Sequence, residues 1–129
     1  MTDRELVERA LAARSGAYAP YSGFEVGAAL LAADGTVYTG ANIENASYGL
    51  SICAERVAVF KAVSEGRREF TALAVASGGD DYCRPCGACR QVLAEFAPDL
   101  RLLMANARGD FRETRLAELL PEAFRLRST

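Results

Sequence analysis

A short, almost wholly apolar segment places the strongest constraint on the fold. Residues 71–77 have the composition of a strand, and Gly78 and Gly79 follow directly. A strand without regular polar alternation is typical of a sheet that is covered on both faces. We therefore expect helices on both sides of a sheet that contains this segment.

Helix and strand patterns alternate on both sides of that segment, which predicts crossover connections and a mixed α/β fold. Breakers such as Gly66 and Pro98 separate the elements. The predicted architecture is a three-layer α/β/α domain with about five strands. The predicted helices cover residues 3–14, from near Cys53 to Gly66, from near Cys86 to before Pro98, and 116–120; the predicted strands cover 24–31, 36–41, 71–77, 100–105 and a segment around Phe111.

Composition narrows the function before any motif is considered. The chain has 129 residues, half of them hydrophobic, so we expect one domain over residues 1–129. Its net charge of -2 supplies no basic surface for nucleic acid. The polar start and the lack of a long apolar run predict a cytoplasmic protein that is neither secreted nor membrane-bound. The absence of histidine excludes every mechanism that needs a histidine base.

The four cysteines carry the strongest chemical signal. Cys86 and Cys89 are three residues apart at the start of a predicted helix, and Cys53 opens another helix, where the helix dipole favours a thiolate. Three thiolates would bind zinc and leave one coordination position open, as in catalytic zinc sites. Cys83 leaves alternatives: as a fourth ligand it would close the site, and Cys86 with Cys89 could instead be a redox pair.

Charged residues beside these cysteines complete the candidate site. Glu55 lies in the first turn after Cys53, so its carboxylate can reach the space in front of the helix and transfer protons there. Three thiolates leave a bound zinc ion with a net negative charge, which calls for a nearby cation. Arg56, Arg90 and Arg84 are the candidates.

Two motifs of this sequence together resemble those of the small zinc-dependent cytidine deaminases. The first is Cys53-Ala54-Glu55, and the second, some thirty residues later, is Pro85 and the Cys86/Cys89 motif with Arg90-Gln91. The resemblance implies a homotetramer and a nucleoside substrate, with hydrolytic deamination of cytidine and 2'-deoxycytidine in pyrimidine salvage. Arg84 departs from the serine that is common in this family. Further similar segments are residues 18–22 with Phe24, 26–29, 42–45, 54–56 and 118–121 with Phe124.

The resemblance also implies roles for individual residues. Cys53, Cys86 and Cys89 match the zinc ligands, Glu55 the proton shuttle, and Arg56 the arginine that neutralises the thiolates. The remaining matches concern the substrate: Phe24 packs on the pyrimidine ring, Asn42 and Glu44 bind ribose hydroxyls, the backbone at Ala54 contacts the base edge, and Tyr48 and Phe124 reach into a neighbouring subunit's pocket.

Two other functions stay open at this point. A deaminase of a cytosine-nucleoside antibiotic of the blasticidin type would keep the same metal ligands and Glu55. A structural zinc module would use all four cysteines, including Cys83, and would have no open position on the metal.

Overall fold

The fold is built on one mixed five-stranded sheet. The computed structural model describes residues 1–126, and the strands of the sheet follow the order β2-β1-β3-β4-β5. The strands are β1 (Val26–Ala32), β2 (Val37–Ala41), β3 (Phe70–Ser77), β4 (Arg101–Ala105) and β5 (Phe111–Arg115); the α-helices are α1 (Asp3–Ala13), α2 (Ala54–Ser64), α3 (Gly87–Phe96) and α4 (Leu116–Leu119).

The pairing of the strands explains why the sheet is mixed. β1 and β2 form an antiparallel hairpin, whose turn uses Gly35 at a positive φ of 92°. β3 pairs antiparallel with β1 and parallel with β4, and the crossover between the two parallel strands contains α3. β5 returns antiparallel to β4. The predicted mixed sheet of about five strands is confirmed.

Two apolar clusters on opposite faces of the sheet account for the layers. On one face α1 buries Leu6, Val7 and Ala10 against alternate residues of the sheet. On the other face α2 and α3 pack together, with Val59 and Leu93 in one cluster. β3 lies between the two clusters and is buried from Ala72 to Ser77, as its composition predicts. Burial of this apolar surface is the main force that holds the three layers together.

The start of β1 differs from the prediction. The sequence pattern predicts a strand from Phe24, whereas β1 begins at Val26. The backbone of Phe24 bonds to side chains instead of a neighbouring strand: its N–H donates to Ser22 Oγ at 3.0 Å, and its carbonyl accepts from Asn42 Nδ2 at 2.8 Å. Phe24 therefore belongs to a loop that lies beside the candidate site.

A close approach of backbones fixes the start of α2. Gly40 on β2 faces the first turn of this helix, and a Cβ atom there would lie 2.5 Å from the carbonyl oxygen of Ala54. Only glycine allows the helix to pack so near the strand. The residue that precedes the helix, Cys53, is thereby held at one end of the sheet.

No helix among the described residues is both long enough and apolar enough to cross a membrane.

Candidate active site

Three of the four cysteines converge at the starts of two helices. Cys53 is the N-cap of α2, Cys86 is the N-cap of α3, and Cys89 lies in the first turn of α3. Their sulphur atoms all lie within 4.8 Å of one another. The helix starts therefore bring together residues that are more than thirty positions apart in the sequence, as the cysteine spacing predicts.

The three sulphur atoms fit a tetrahedral zinc ion. Zinc binds thiolates at about 2.3 Å, which separates two tetrahedral sulphur ligands by about 3.8 Å. The Cys53 and Cys86 sulphur atoms are 3.8 Å apart, and those of Cys86 and Cys89 are 3.5 Å apart. The number, type and separation of the donors thus match a zinc site with three protein ligands.

The fourth cysteine lies outside this cluster. Cys83 lines the same pocket, but its thiol is not among the group that could share an ion. The three thiols that could share an ion are those of Cys53, Cys86 and Cys89. The interpretation of a closed site with four thiolates therefore loses its fourth ligand.

Hydrogen bonds polarise the cysteine cluster. A hydrogen bond from Cys89 lowers the pKa of Cys53 to about 5, and Arg56 contributes to the same shift. The same hydrogen bond, together with burial, raises the pKa of Cys89. The two shifts are opposite in direction, so Cys53 ionises more readily than Cys89. A cation that binds all three sulphur atoms would remove the remaining protons and so couple binding to pH.

Arg56 is the cation in contact with the sulphur atoms. Its Nη2 donates to Cys53 Sγ at 3.5 Å, and the contact spans the first turn of α2. Its Nε is buried and has no hydrogen-bond partner among the described residues. A guanidinium beside a thiolate offsets negative charge, so this contact fits the role that the resemblance implies for Arg56.

The other two arginines lie elsewhere. Arg90, a predicted thiolate partner, instead donates to two backbone carbonyls, those of Pro85 at 2.9 Å and Leu119 at 3.2 Å. It therefore supports the loop before Cys86 and is not hydrogen-bonded to a sulphur atom. Arg84 pairs with Asp81 at the rim of the pocket, with an N to O distance of 3.2 Å.

Glu55 is a buried carboxyl group beside the cysteine cluster. Its side chain lies in the first turn of α2, lines the pocket and is only 4% exposed. Burial raises the pKa of Glu55 to about 7, and the negative charge on Cys53 adds to this shift. A carboxyl group that titrates near neutral pH can both accept and return a proton, which is the property a general acid and base needs.

One pocket of about 420 Å³ collects most of the predicted substrate residues, a volume that suits a small molecule. Phe24 is half exposed at the wall of this pocket, and Ala54 begins α2 with a backbone N–H group that has no partner within the helix. The pocket residues include Phe24, Asn42, Glu44, Tyr48, Cys53, Ala54, Glu55, Arg56 and Cys86.

Hydrogen bonds hold the two polar residues of the pocket wall in place. The Asn42 side-chain amide accepts from the Val26 N–H and donates to the Phe24 carbonyl, both at 2.8 Å. The Glu44 carboxylate accepts from the backbone N–H groups of Tyr21 and Ser22. A hydrogen bond from the Ser22 side chain lowers the pKa of Glu44 most, and the two backbone N–H groups lower it further. The carboxylate therefore stays ionised.

The two residues that the resemblance assigns to a neighbouring subunit differ in position. Tyr48 lines the pocket of its own chain and packs edge-on against Tyr21, with ring centroids 6.1 Å apart. Phe124 does not line this pocket, and its ring is exposed. Its carbonyl accepts a hydrogen bond from Gln91 Nε2 at 2.8 Å, which fastens the C-terminal segment to α3.

Comparison with known proteins establishes the family. The family model described as "Cytidine and deoxycytidylate deaminase zinc-binding region" matches residues 1–104. A cytidine deaminase from Halalkalibacterium halodurans is 57% identical over 95% of this chain and 94% of that relative. One from Sporosarcina psychrophila is 53% identical over 96% of this chain and 92% of that relative.

A solved structure agrees with the sequence relatives. The crystal structure of cytidine deaminase from Burkholderia pseudomallei superposes with a TM-score of 0.93 and 53% sequence identity, and the match covers 96% of this chain and 100% of that one. A blasticidin-S deaminase from Bacillus cereus is more distant, at 33% identity over 74% of each chain. The chain belongs to the zinc-dependent cytidine deaminase family, whose members are hydrolases.

Proposed function

We propose that the protein catalyses the hydrolytic deamination of cytidine and 2'-deoxycytidine to uridine and 2'-deoxyuridine, with release of ammonia. The observation that carries this proposal is the position of Glu55, a buried carboxyl group beside three convergent cysteines in a pocket lined by Phe24 and Asn42. Two relatives that are 57% and 53% identical are named cytidine deaminases, which supports cytidine as the substrate.

The cysteines and Arg56 prepare the metal site. Cys53, Cys86 and Cys89 would hold zinc, and Arg56 would offset the charge of their thiolates. Zinc at such a site lowers the pKa of water toward 7, which makes a nucleophile available at neutral pH.

Glu55 moves the protons. Its carboxylate accepts a proton from the attacking water, delivers it to N3 of the pyrimidine, and then assists proton transfer to the departing amine. The oxygen of one water molecule bonds to C4, the C4–N bond breaks, and ammonia leaves. Burial suits Glu55 to this task because it raises the pKa of the carboxyl group to about 7. At neutral pH the group can therefore both accept and donate a proton.

The pocket wall binds the nucleoside. Phe24 would pack on the pyrimidine ring, and the backbone N–H group of Ala54, which has no partner within α2, would contact the base edge. Asn42 and Glu44 would bind the ribose hydroxyls with the hydrogen-bonding capacity that the loop leaves free. The net charge of -2 disfavours a polynucleotide substrate.

The proposed assembly is a homotetramer that works in pyrimidine salvage in the cytoplasm. Support comes from large apolar side chains that remain exposed in the isolated chain, several of them near the pocket. Phe124, at 68% exposure, would complete a neighbouring pocket. Analytical ultracentrifugation of wild type and Phe124→Ala tests this: we expect a tetramer for wild type, and a monomeric wild type with full activity would contradict it.

The direct test of the activity is uridine formation by the purified protein. We expect turnover of cytidine and 2'-deoxycytidine, loss of turnover with a zinc chelator, and recovery when zinc is restored. Blasticidin S and a single-stranded oligonucleotide serve as competing substrates. Faster turnover of either competitor than of cytidine would contradict the proposed substrate.

A further inference from the structure

The Ser22 hydroxyl joins two parts of the pocket wall. Ser22 Oγ accepts a hydrogen bond from the Phe24 N–H at 3.0 Å and donates one to Glu44 Oε2 at 2.5 Å. A hydroxyl group has one proton to donate, and here that proton is directed to the carboxylate. Ser22 therefore connects the backbone of the aromatic residue in the wall to the acidic residue of the wall.

The hydrogen bonds of Glu44 show which of its oxygen atoms can receive a substrate. Oε1 accepts from the N–H groups of Tyr21, at 3.0 Å, and Ser22, at 3.2 Å. Oε2 accepts only from Ser22 Oγ among the described residues. A carboxylate has about four acceptor positions, two on each oxygen, so the free position lies on Oε2. A sugar hydroxyl that donates to Glu44 must therefore share Oε2 with Ser22.

We propose that Ser22 is a positioning residue that determines sugar specificity, because its hydroxyl orients the free acceptor position of Glu44 toward the sugar of the substrate. This inference rests on the proposed function, in which Glu44 binds a ribose hydroxyl. Ser22 acts through Glu44 and takes no part in proton transfer at the base.

The neighbouring hydrogen bonds allow this role to be separated from a structural one. Without the Ser22 hydroxyl, the backbone N–H groups of Tyr21 and Ser22 still bind Glu44 Oε1, and Asn42 still holds the Phe24 carbonyl. Ser22 is exposed, so Ser22→Ala leaves no buried cavity. The loop therefore keeps its attachment, and the variant loses mainly the orientation of Oε2.

The test compares two substrates that differ only in their sugar hydroxyls, cytidine and 2',3'-dideoxycytidine. We expect Ser22→Ala to lower the ratio of kcat/KM for cytidine to kcat/KM for the dideoxy substrate by about tenfold. The reason is that the sugar hydroxyl would lose its aligned hydrogen bond to the charged Glu44, and such a bond contributes about that much. The fall should lie mainly in KM for cytidine. Ser22→Thr keeps a hydroxyl and should keep the ratio near that of wild type.

A double-mutant cycle tests whether Ser22 acts through Glu44. In a Glu44→Ala background, the additional Ser22→Ala change should alter the ratio by less than about twofold, the range expected of uncoupled changes. Ser15→Ala is the matched control, because its hydroxyl donates to the Ala12 carbonyl at the end of α1 and does not line the pocket. If Ser22→Ala melts early, Ser22→Cys, a weak donor, gives the same comparison.

The possible failures are distinguishable. If wild type does not deaminate cytidine, the proposed function is wrong and the inference falls with it. If wild type deaminates cytidine but Ser22→Ala keeps the wild-type ratio, for instance by lowering kcat/KM equally for both substrates, the inference alone is overturned. The same holds if Ser22→Ala still shifts the ratio in the Glu44→Ala background.

Discussion

The metal side and the sugar side of the pocket are built in different ways. On the metal side, Cys53, Cys86, Cys89 and Glu55 lie at the starts of two helices that pack on the sheet. The other side, which we call the sugar side, consists of residues on connecting segments that side-chain hydrogen bonds hold to one another: Ser22, Phe24, Asn42 and Glu44. Rigid helix starts suit the side where we propose that protons move, whereas a hydrogen-bonded loop suits the side where we propose that the sugar is bound.

This difference predicts that changes on the metal side reduce kcat or zinc binding, and that changes on the sugar side act mainly through KM. A change on one side that gives the kinetic signature of the other would break the comparison.

The largest effect is expected from Glu55→Gln. This change keeps the shape of the side chain but removes the proton acceptor, so kcat should fall at least about 100-fold. Steady-state kinetics and zinc analysis check the result, and the variant should retain its zinc. Glu65→Gln, at the exposed end of the same helix, is the matched control. Near-normal turnover by Glu55→Gln would refute the proton-transfer role.

The same substitution should also change the pH dependence of folding in the metal-free protein. Burial raises the pKa of Glu55 from 4.5 to about 7, so the folded state binds more protons than the unfolded state between these values. The free energy of unfolding should therefore fall as pH rises through this window, by on the order of 3 kcal/mol. Below the window this contribution to stability is fully present.

Urea unfolding of metal-free wild type and Glu55→Gln at about pH 5 and about pH 8 measures this contribution. The variant should gain stability relative to wild type at the higher pH, because the buried negative charge is gone. An equal difference between the two proteins at both pH values would contradict the raised pKa.

Arg56→Gln should give a smaller effect on the metal side. Loss of the guanidinium removes the hydrogen bond to Cys53 and the charge compensation, and changes to such neighbours of metal ligands cost about tenfold or more in affinity or rate. Competition with a zinc chelator, together with kcat, measures the change. Arg67→Gln, whose partner Asp34 lies in the β1–β2 turn, serves as the control. Unchanged zinc affinity and kcat would remove the charge-compensation role.

The smallest effect is expected from Phe24→Leu, a change on the sugar side of the pocket. An aromatic contact contributes about 0.5–1.5 kcal/mol beyond its apolar area, so KM for cytidine should rise about three- to tenfold with little change in kcat. Phe60→Leu is a matched control, because Phe60 has similar exposure and does not line the pocket. A loss in kcat alone would place Phe24 in the chemical step instead.

The sequence predicts the metal side better than the sugar side, for a physical reason. Cysteine spacing and helix starts are local, so Cys86, Cys89 and Glu55 could be placed from the pattern around them. The residues that meet at the sugar side come from separate segments, and the strand predicted from Phe24 begins two residues later because side chains bind the backbone there.

Side-chain hydrogen bonds between distant segments have no local pattern to reveal them. The sequence indicates a polar residue at Ser22 but not its bond to Glu44, which spans 22 positions. Likewise, the position of Arg90 next to Cys89 predicts a contact with the thiolates, whereas one of its partners is the carbonyl of Leu119, 29 residues away.

Zinc content of the four single Cys→Ala variants tests the central claim most directly. We expect Cys53→Ala, Cys86→Ala and Cys89→Ala to lose zinc and turnover, and Cys83→Ala to keep both, since only the first three thiols converge. Loss of zinc from Cys83→Ala, or zinc and turnover retained without one of the other three, would contradict a catalytic site of three thiolates.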